Sequence, residues 1–142
     1  MFYVTIYTDQ NGNSELSDQL EELASKATHS KDSRIQYNQI MLEIEKLETY
    51  GANSRYVDTK LIQKDIWELR PGNNRILYFY FENNTYVLLH MFRKKSQKTP
   101  KIEIEKAFRE EKSFKERNRG NAKWNNTLGK IIKGTLKKDT QN

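Results

Sequence analysis

Ile66-Trp67-Glu68-Leu69-Arg70-Pro71-Gly72-Asn73-Asn74-Arg75-Ile76-Leu77-Tyr78-Phe79-Tyr80-Phe81-Glu82-Asn83-Asn84-Thr85-Tyr86-Val87-Leu88-Leu89-His90-Met91-Phe92 has the punctuation of a β meander. Ile66–Leu69, Arg75–Phe81 and Thr85–Phe92 are rich in branched and aromatic residues, the composition of strands. Pro71-Gly72-Asn73-Asn74 reads as a four-residue turn. Asn83-Asn84, whose side chains tolerate positive φ, reads as a tight two-residue one. Ile76–Phe81 and Tyr86–Leu89 are apolar at every position, which predicts central strands covered on both faces.

Toward the N-terminus, Phe2–Thr8 alternates like another strand, and Asn11-Gly12-Asn13 turns the chain. Asn13 or Ser14 can cap a helix whose apolar stripe is Leu16, Leu20, Leu23, Ala24 and Ala27. Asp32 or Ser33 caps a second, with Tyr37, Ile40, Met41, Ile44 and Leu47 on one face and Gly51 as its stop. Ala52–Lys60 reads as polar and irregular. Toward the C-terminus, Thr99-Pro100 is a cap followed by proline, and Ile104, Ala107, Phe108 and Phe114 form the stripe of a last helix. The order β-α-α-β-β-β-α predicts an α+β fold. Its small, antiparallel-rich sheet carries two N-terminal helices on one face and the C-terminal helix against the other. Residues 1–118 form that domain. Residues 119–142, rich in Gly, Asn and Lys, read as a flexible basic extension.

Several chemistries are excluded at once. The 142 residues contain no cysteine, so disulfides, thiolate-bound zinc, iron–sulfur clusters and thiol nucleophiles are out. Two histidines far apart in sequence give no metal-ligand spacing, and no phosphate-cradling glycine loop or G-x-S-x-G elbow occurs. No metal or cofactor is expected. The longest wholly apolar run is Ile76–Phe81, against the roughly 20 residues a spanning helix needs, and the first residues lack a basic secretory n-region. A cytoplasmic protein without membrane contact is the expectation. The net charge of +6 is unevenly spread: residues 1–50 carry −5, residues 51–101 carry +6, residues 102–118 balance, and residues 119–142 carry +5. Such clustering predicts one polyanion-facing side.

Strand register says which side. A two-residue turn at Asn83-Asn84 sets Leu77 opposite His90 and Arg75 opposite Phe92; the four-residue turn sets Arg70 opposite Arg75. Alternation then puts Trp67, Leu69, Ile76, Tyr78, Tyr80, Val87, Leu89 and Met91 on a core face. The other face carries Glu68, Arg70, Arg75, His90 and Lys94 at one end. At its far end lie Phe79, Phe81, Tyr86 and Leu88, covered by Ile104 and Phe108. Arg93, Lys95, Lys98 and Lys60 lie near the polar end. Guanidinium forks and ammonium groups around one carboxylate and one imidazole suit a phosphodiester, whose growing charge they stabilise. Each residue also has a plainer reading: Glu68–Arg70 as an edge ion pair, His90 as a hydrogen-bonded strand histidine, Arg93-Lys94-Lys95 as a solvated charge run.

The run E-L-R-P at Glu68–Pro71, R-I-x-Y at Arg75–Tyr78 and L-L-H-x-F-x-K-K-x-x-K-T-P-x-x-E-I-x-x-A at Leu88–Ala107 resembles the phage-derived, HigB-like branch of the RelE/ParE toxin superfamily. The resemblance covers roughly residues 2–117. It implies the toxin of a type II toxin–antitoxin pair. RelE-like members cleave mRNA in the ribosomal decoding site, whereas ParE-like members inhibit DNA gyrase without being enzymes. By position, Arg75 matches the arginine of the family's central strand and Lys94 a basic residue after the last strand. The chain departs in two places: Glu68 stands near a lysine used by RelE-like enzymes, and Ser96–Ile102 offers no counterpart to the catalytic tyrosine of some members.

The resemblance thus implies a ribosome-dependent endoribonuclease, with the ribose 2′-OH attacking its own phosphate without a metal. Arg75 and Lys94, with Arg93 or Lys95, would bind the phosphate, Glu68 or His90 would take the proton, and Lys60, Arg70 and Lys98 would bind flanking RNA. The implied partners are the ribosome, mRNA and a helix-turn-helix, HigA-like antitoxin, through which alone operator DNA would be met. A gyrase inhibitor and a non-toxic nucleic-acid-binding module are the alternatives.

Overall fold

The computed structural model describes residues 1–118. The expected extension, residues 119–142, lies outside the described residues. The elements are β1 (Tyr3–Ile6), α1 (Glu15–Lys26), α2 (Lys31–Tyr50), β2 (Thr59–Gln63), β3 (Ile66–Leu69), β4 (Asn74–Tyr80), β5 (Thr85–Arg93) and α3 (Lys101–Asn118). They build an α+β fold around one sheet of order β1-β5-β4-β3-β2, with β1 parallel to β5 and the other pairs antiparallel. α1 and α2 pack Leu16, Leu20, Ile40, Ile44 and Leu47 onto one face, against Leu69, Ile76, Tyr78 and Leu88. α3 packs Ala107 and Phe114 onto the other, against Ile66, Leu77, Phe79, Val87 and Leu89. Among the described residues no helix is long and apolar enough to cross a membrane.

Local chemistry explains most boundaries. Ser14 caps α1, its hydroxyl accepting from Ser17 N at 3.1 Å. The cap of α2 is Ser30, which accepts from Ser33 N at 3.2 Å, rather than Asp32 or Ser33; both expected caps lie inside the helix. Gly51 ends α2 at φ +81°, where a Cβ would come within 2.7 Å of the Phe2 ring. Thr99 does not cap α3. Pro100 O instead accepts from Glu103 N and Ile104 N, leaving the Thr99 hydroxyl for another partner.

The sheet has one strand more than expected, because Thr59–Gln63 pairs with β3 as an edge strand. Its alternation is broken by a bulge at Ile62, between the Leu61–Trp67 and Gln63–Ile66 pairs, so the segment lacks a clean period of two. The β3–β4 register is the expected one, Leu69 opposite Ile76 and Glu68 opposite Leu77. The β4–β5 hairpin differs in an instructive way. Phe81 N donates to Thr85 O, so the loop holds three residues, with Asn83 and Asn84 at φ +52° and +58°. That moves every pair near the turn by one: Tyr80 faces Tyr86 and Tyr78 faces Leu88. A bulge at Leu89 then restores the expected pairs, Leu77 opposite His90 and Arg75 opposite Phe92. Between the two irregularities the faces are exchanged. Tyr86 and Leu88 lie on the α1/α2 side, and Val87 and Leu89 under α3, the reverse of the expectation.

Candidate functional site

At the open end of the α3 face, β3 and β4 bring Glu68 and Arg75 onto adjacent strands. Glu68 is 2% exposed and fully engaged. Its Oε1 accepts from Arg70 Nε at 3.1 Å and lies 3.8 Å from Arg75 Nε, while its Oε2 accepts from Thr99 Oγ1 at 2.6 Å. Arg75 is held on a second side too: its Nη1 donates to Gly72 O and Asn74 O, each at 2.8 Å. A guanidinium gripped by two turn carbonyls and a carboxylate has lost most of its rotamer freedom before any ligand arrives.

The segment Lys94–Pro100 closes over this pair. The cleft it leaves with Glu68, Arg75 and Phe92 has a volume of only about 10 Å³, room for roughly one water. Lys94, Lys95 and Lys98 are exposed at its mouth. Lys60 pairs with Glu68 across β2–β3 and so stands on the same face. Among the described residues Lys60, Lys94, Lys95 and Lys98 form no ion pair, so one carboxylate faces a clear excess of cations.

Two of the nine candidates go elsewhere. Arg93 points to the other face, where its Nη1 donates to Gln36 Oε1 of α2 at 3.1 Å. His90 shares the face of Glu68 but is 1% exposed beneath α3. Its Nδ1 meets Glu110 Oε1 at 2.5 Å and its Nε2 meets Glu103 Oε1 at 3.1 Å. With both ring nitrogens bonded to carboxylates, His90 has none left to take a proton from a substrate hydroxyl. It fastens α3 to the sheet. No tyrosine replaces it: Tyr78 is fully buried on the opposite face, its phenol pushed well up by burial and bonded to Thr59 Oγ1 at 2.6 Å. The residue that sequence reasoning missed is Thr99, hidden because Thr-Pro before an amphipathic run reads as a helix cap.

Residues 28–112, more than half of the chain, match the family described as phage derived protein Gp49-like (DUF891). The chain belongs to this family. Gp49-like proteins are a RelE-like toxin family of toxin–antitoxin systems. The matched span takes in α2, strands β2–β5 and most of α3, and so contains Glu68, Arg75 and every exposed lysine of the cleft. No curated protein matches the chain.

Proposed function

We propose that this Gp49-like protein is the toxin of a HigB-like toxin–antitoxin pair and cleaves mRNA on the ribosome. The observation that carries the reading is Arg75, immobilised beside buried Glu68 at the mouth of a cleft rimmed by lysines that form no ion pair among the described residues. In the proposed reaction the ribose 2′-oxygen bonds to phosphorus, its proton passes to solvent, the P–O5′ bond breaks, and the 5′-oxygen leaves as a hydroxyl after protonation by water. A 2′,3′-cyclic phosphate remains. Arg75 holds the non-bridging oxygens and stabilises their growing charge, with Lys94 and Lys95 beside it. Arg70, Lys60 and Lys98 receive the flanking phosphates.

Glu68, saturated by Arg70, Arg75 and Thr99, orients the guanidiniums rather than abstracting a proton. With no free base at the cleft among the described residues, alignment of the 2′-OH falls to the ribosome, since positioning alone contributes several kcal/mol. The cognate antitoxin is a helix-turn-helix protein of the HigA-like kind. It restrains the toxin and brings it to operator DNA.

The test is induction in cells without the antitoxin. Truncated transcripts with 5′-hydroxyl ends and intact chromosomes are expected from the wild type, and full-length transcripts with normal growth from Arg75→Ala. Full-length transcripts with broken or unsupercoiled DNA would assign the chain to gyrase inhibition instead.

A further inference from the structure

A chain of polar contacts runs from α2, on the far side of the sheet, to the guanidinium of Arg75. Asp32 Oδ2 accepts from Gln36 Nε2 at 2.7 Å, which fixes the Gln36 amide on the helix surface. Gln36 Oε1 then accepts from two donors at once, Asn74 Nδ2 and Arg93 Nη1, each at 3.1 Å. Asn74 is 2% exposed and opens β4. Its N–H donates to Pro71 O at 3.0 Å and closes the turn, and its own carbonyl accepts from Arg75 Nη1. The second carbonyl on Arg75 belongs to Gly72, at φ +58°, the residue of that turn lying against Gln39 of α2. Both carbonyls that grip Arg75 therefore sit in a turn that the helix side chains hold in place.

We propose that Gln36 is a positioning residue: acting through Asn74, it sets the turn carbonyls that aim the Arg75 guanidinium at the cleft. The inference rests on Arg75 being the phosphate ligand and adds what keeps it aimed. Three features favour this over a purely structural role. Gln36 is only half-buried and belongs to neither apolar cluster. Its amide oxygen joins α2 to the first residue of β4 and the last of β5, the ends of the two strands nearest the cleft. Arg93 is tied up in the same junction, which gives that residue of the basic run a role away from the cleft.

The test uses the full chain with programmed ribosomes. Gln36→Met keeps the length and helix propensity of the side chain and removes the acceptor. It should lower kcat about 10- to 100-fold, the scale of a small misplacement, with KM for ribosomes within about twofold of wild type. The melting temperature should fall by a few degrees, because the buried Asn74 amide loses its acceptor, so rates are compared well below it. Gln36→Glu, made together with Asp32→Asn so that an amide rather than a second carboxylate faces the new side chain, restores the acceptor for Asn74 and Arg93 and should recover most of the rate. An unchanged kcat in Gln36→Met, or a loss that this double variant fails to restore, overturns the proposal. A readout independent of activity separates it from the function itself. Arg75 Nε–Hε should exchange with solvent and reorient several-fold faster in Gln36→Met than in wild type by NMR. Unaltered Arg75 dynamics would sink the relay even if Arg75 proves essential. If Arg75→Ala cleaves as wild type does, the ribonuclease reading falls while the NMR result still decides the relay.

Discussion

Arg75 and His90 lie on one face of neighbouring strands, and their partners divide their work. Arg75 meets carbonyl oxygens and one shared carboxylate, which orient a guanidinium without cancelling its charge. His90 meets two carboxylates of its own, Glu103 and Glu110, and is consumed by them. Removing it leaves both acids facing an empty, largely buried site, a penalty of about 1–3 kcal/mol, larger when the orphaned group is charged. His90→Ala should therefore lower the free energy of unfolding in urea by about 2–3 kcal/mol, while each folded molecule cleaves at the wild-type rate. A loss of rate at full stability would return His90 to the chemistry. Histidine chemistry is legible in a sequence, but how many acids a packing helix will present to the ring is not. That is why His90 reads as a candidate base from strand alternation alone.

Two bulges set what could be read at the level of strands and helices. The polar end of the β4–β5 hairpin has its expected pairs because a three-residue loop and a bulge at Leu89 displace the register by one residue each, in opposite senses. Between them the apolar residues exchange faces, and an all-apolar run such as Tyr86–Leu89 carries no alternation that would reveal it. The bulge at Ile62 likewise hid β2. The turn between β2 and β3 is fastened to α3 by a second buried group. Glu111, 6% exposed, has its carboxyl pushed up to about 7, first by burial and then by Asp65 beside it, with Lys115 opposing. Burial pushes Asp65 up as well, but the hydrogen bond from Glu111 and the charge of Lys115 leave it below its ordinary value of 3.8.

The signs then follow from linkage. Folded Glu111 keeps a proton that the unfolded chain releases between its ordinary 4.5 and about 7. Its contribution is complete below the lower value and is lost as pH rises through the window. Asp65 acts in the opposite sense, and only below its ordinary value. The melting temperature should therefore fall from pH 5 to pH 8, and Glu111→Gln should flatten that slope. A profile unchanged by the substitution would refute the assignment.

Across the whole molecule, the fold sorts a charge asymmetry that is already visible along the chain. The acidic first 50 residues supply the helices of one face, and the basic middle supplies the open end of the other. A surface of this kind binds polyanions by displacing counterions, so its affinity for ribosomes should fall steeply with salt. Lys60→Ala and Lys98→Ala should each weaken binding uniformly across messages and reduce the slope of log K against log salt by about one. A sequence-selective loss with an unchanged slope would place these lysines elsewhere. The Glu68–Arg70–Arg75 cluster was legible because a four-residue turn fixes it locally. Thr99, Gln36 and the recruitment of Arg93 depend on how helices and loops close over the sheet, which no strand pattern encodes.

Single-turnover cleavage of ribosome-bound mRNA by purified wild-type and Arg75→Ala protein is the most direct measurement. The rate should fall about 100- to 1000-fold in the variant, the effect of losing one oriented donor to a developing anion. Rates are compared per folded molecule, because Arg75 also faces the buried Glu68 carboxylate, and the wild-type products should end in a cyclic phosphate and a 5′-hydroxyl. Equal rates from the two proteins would contradict the account.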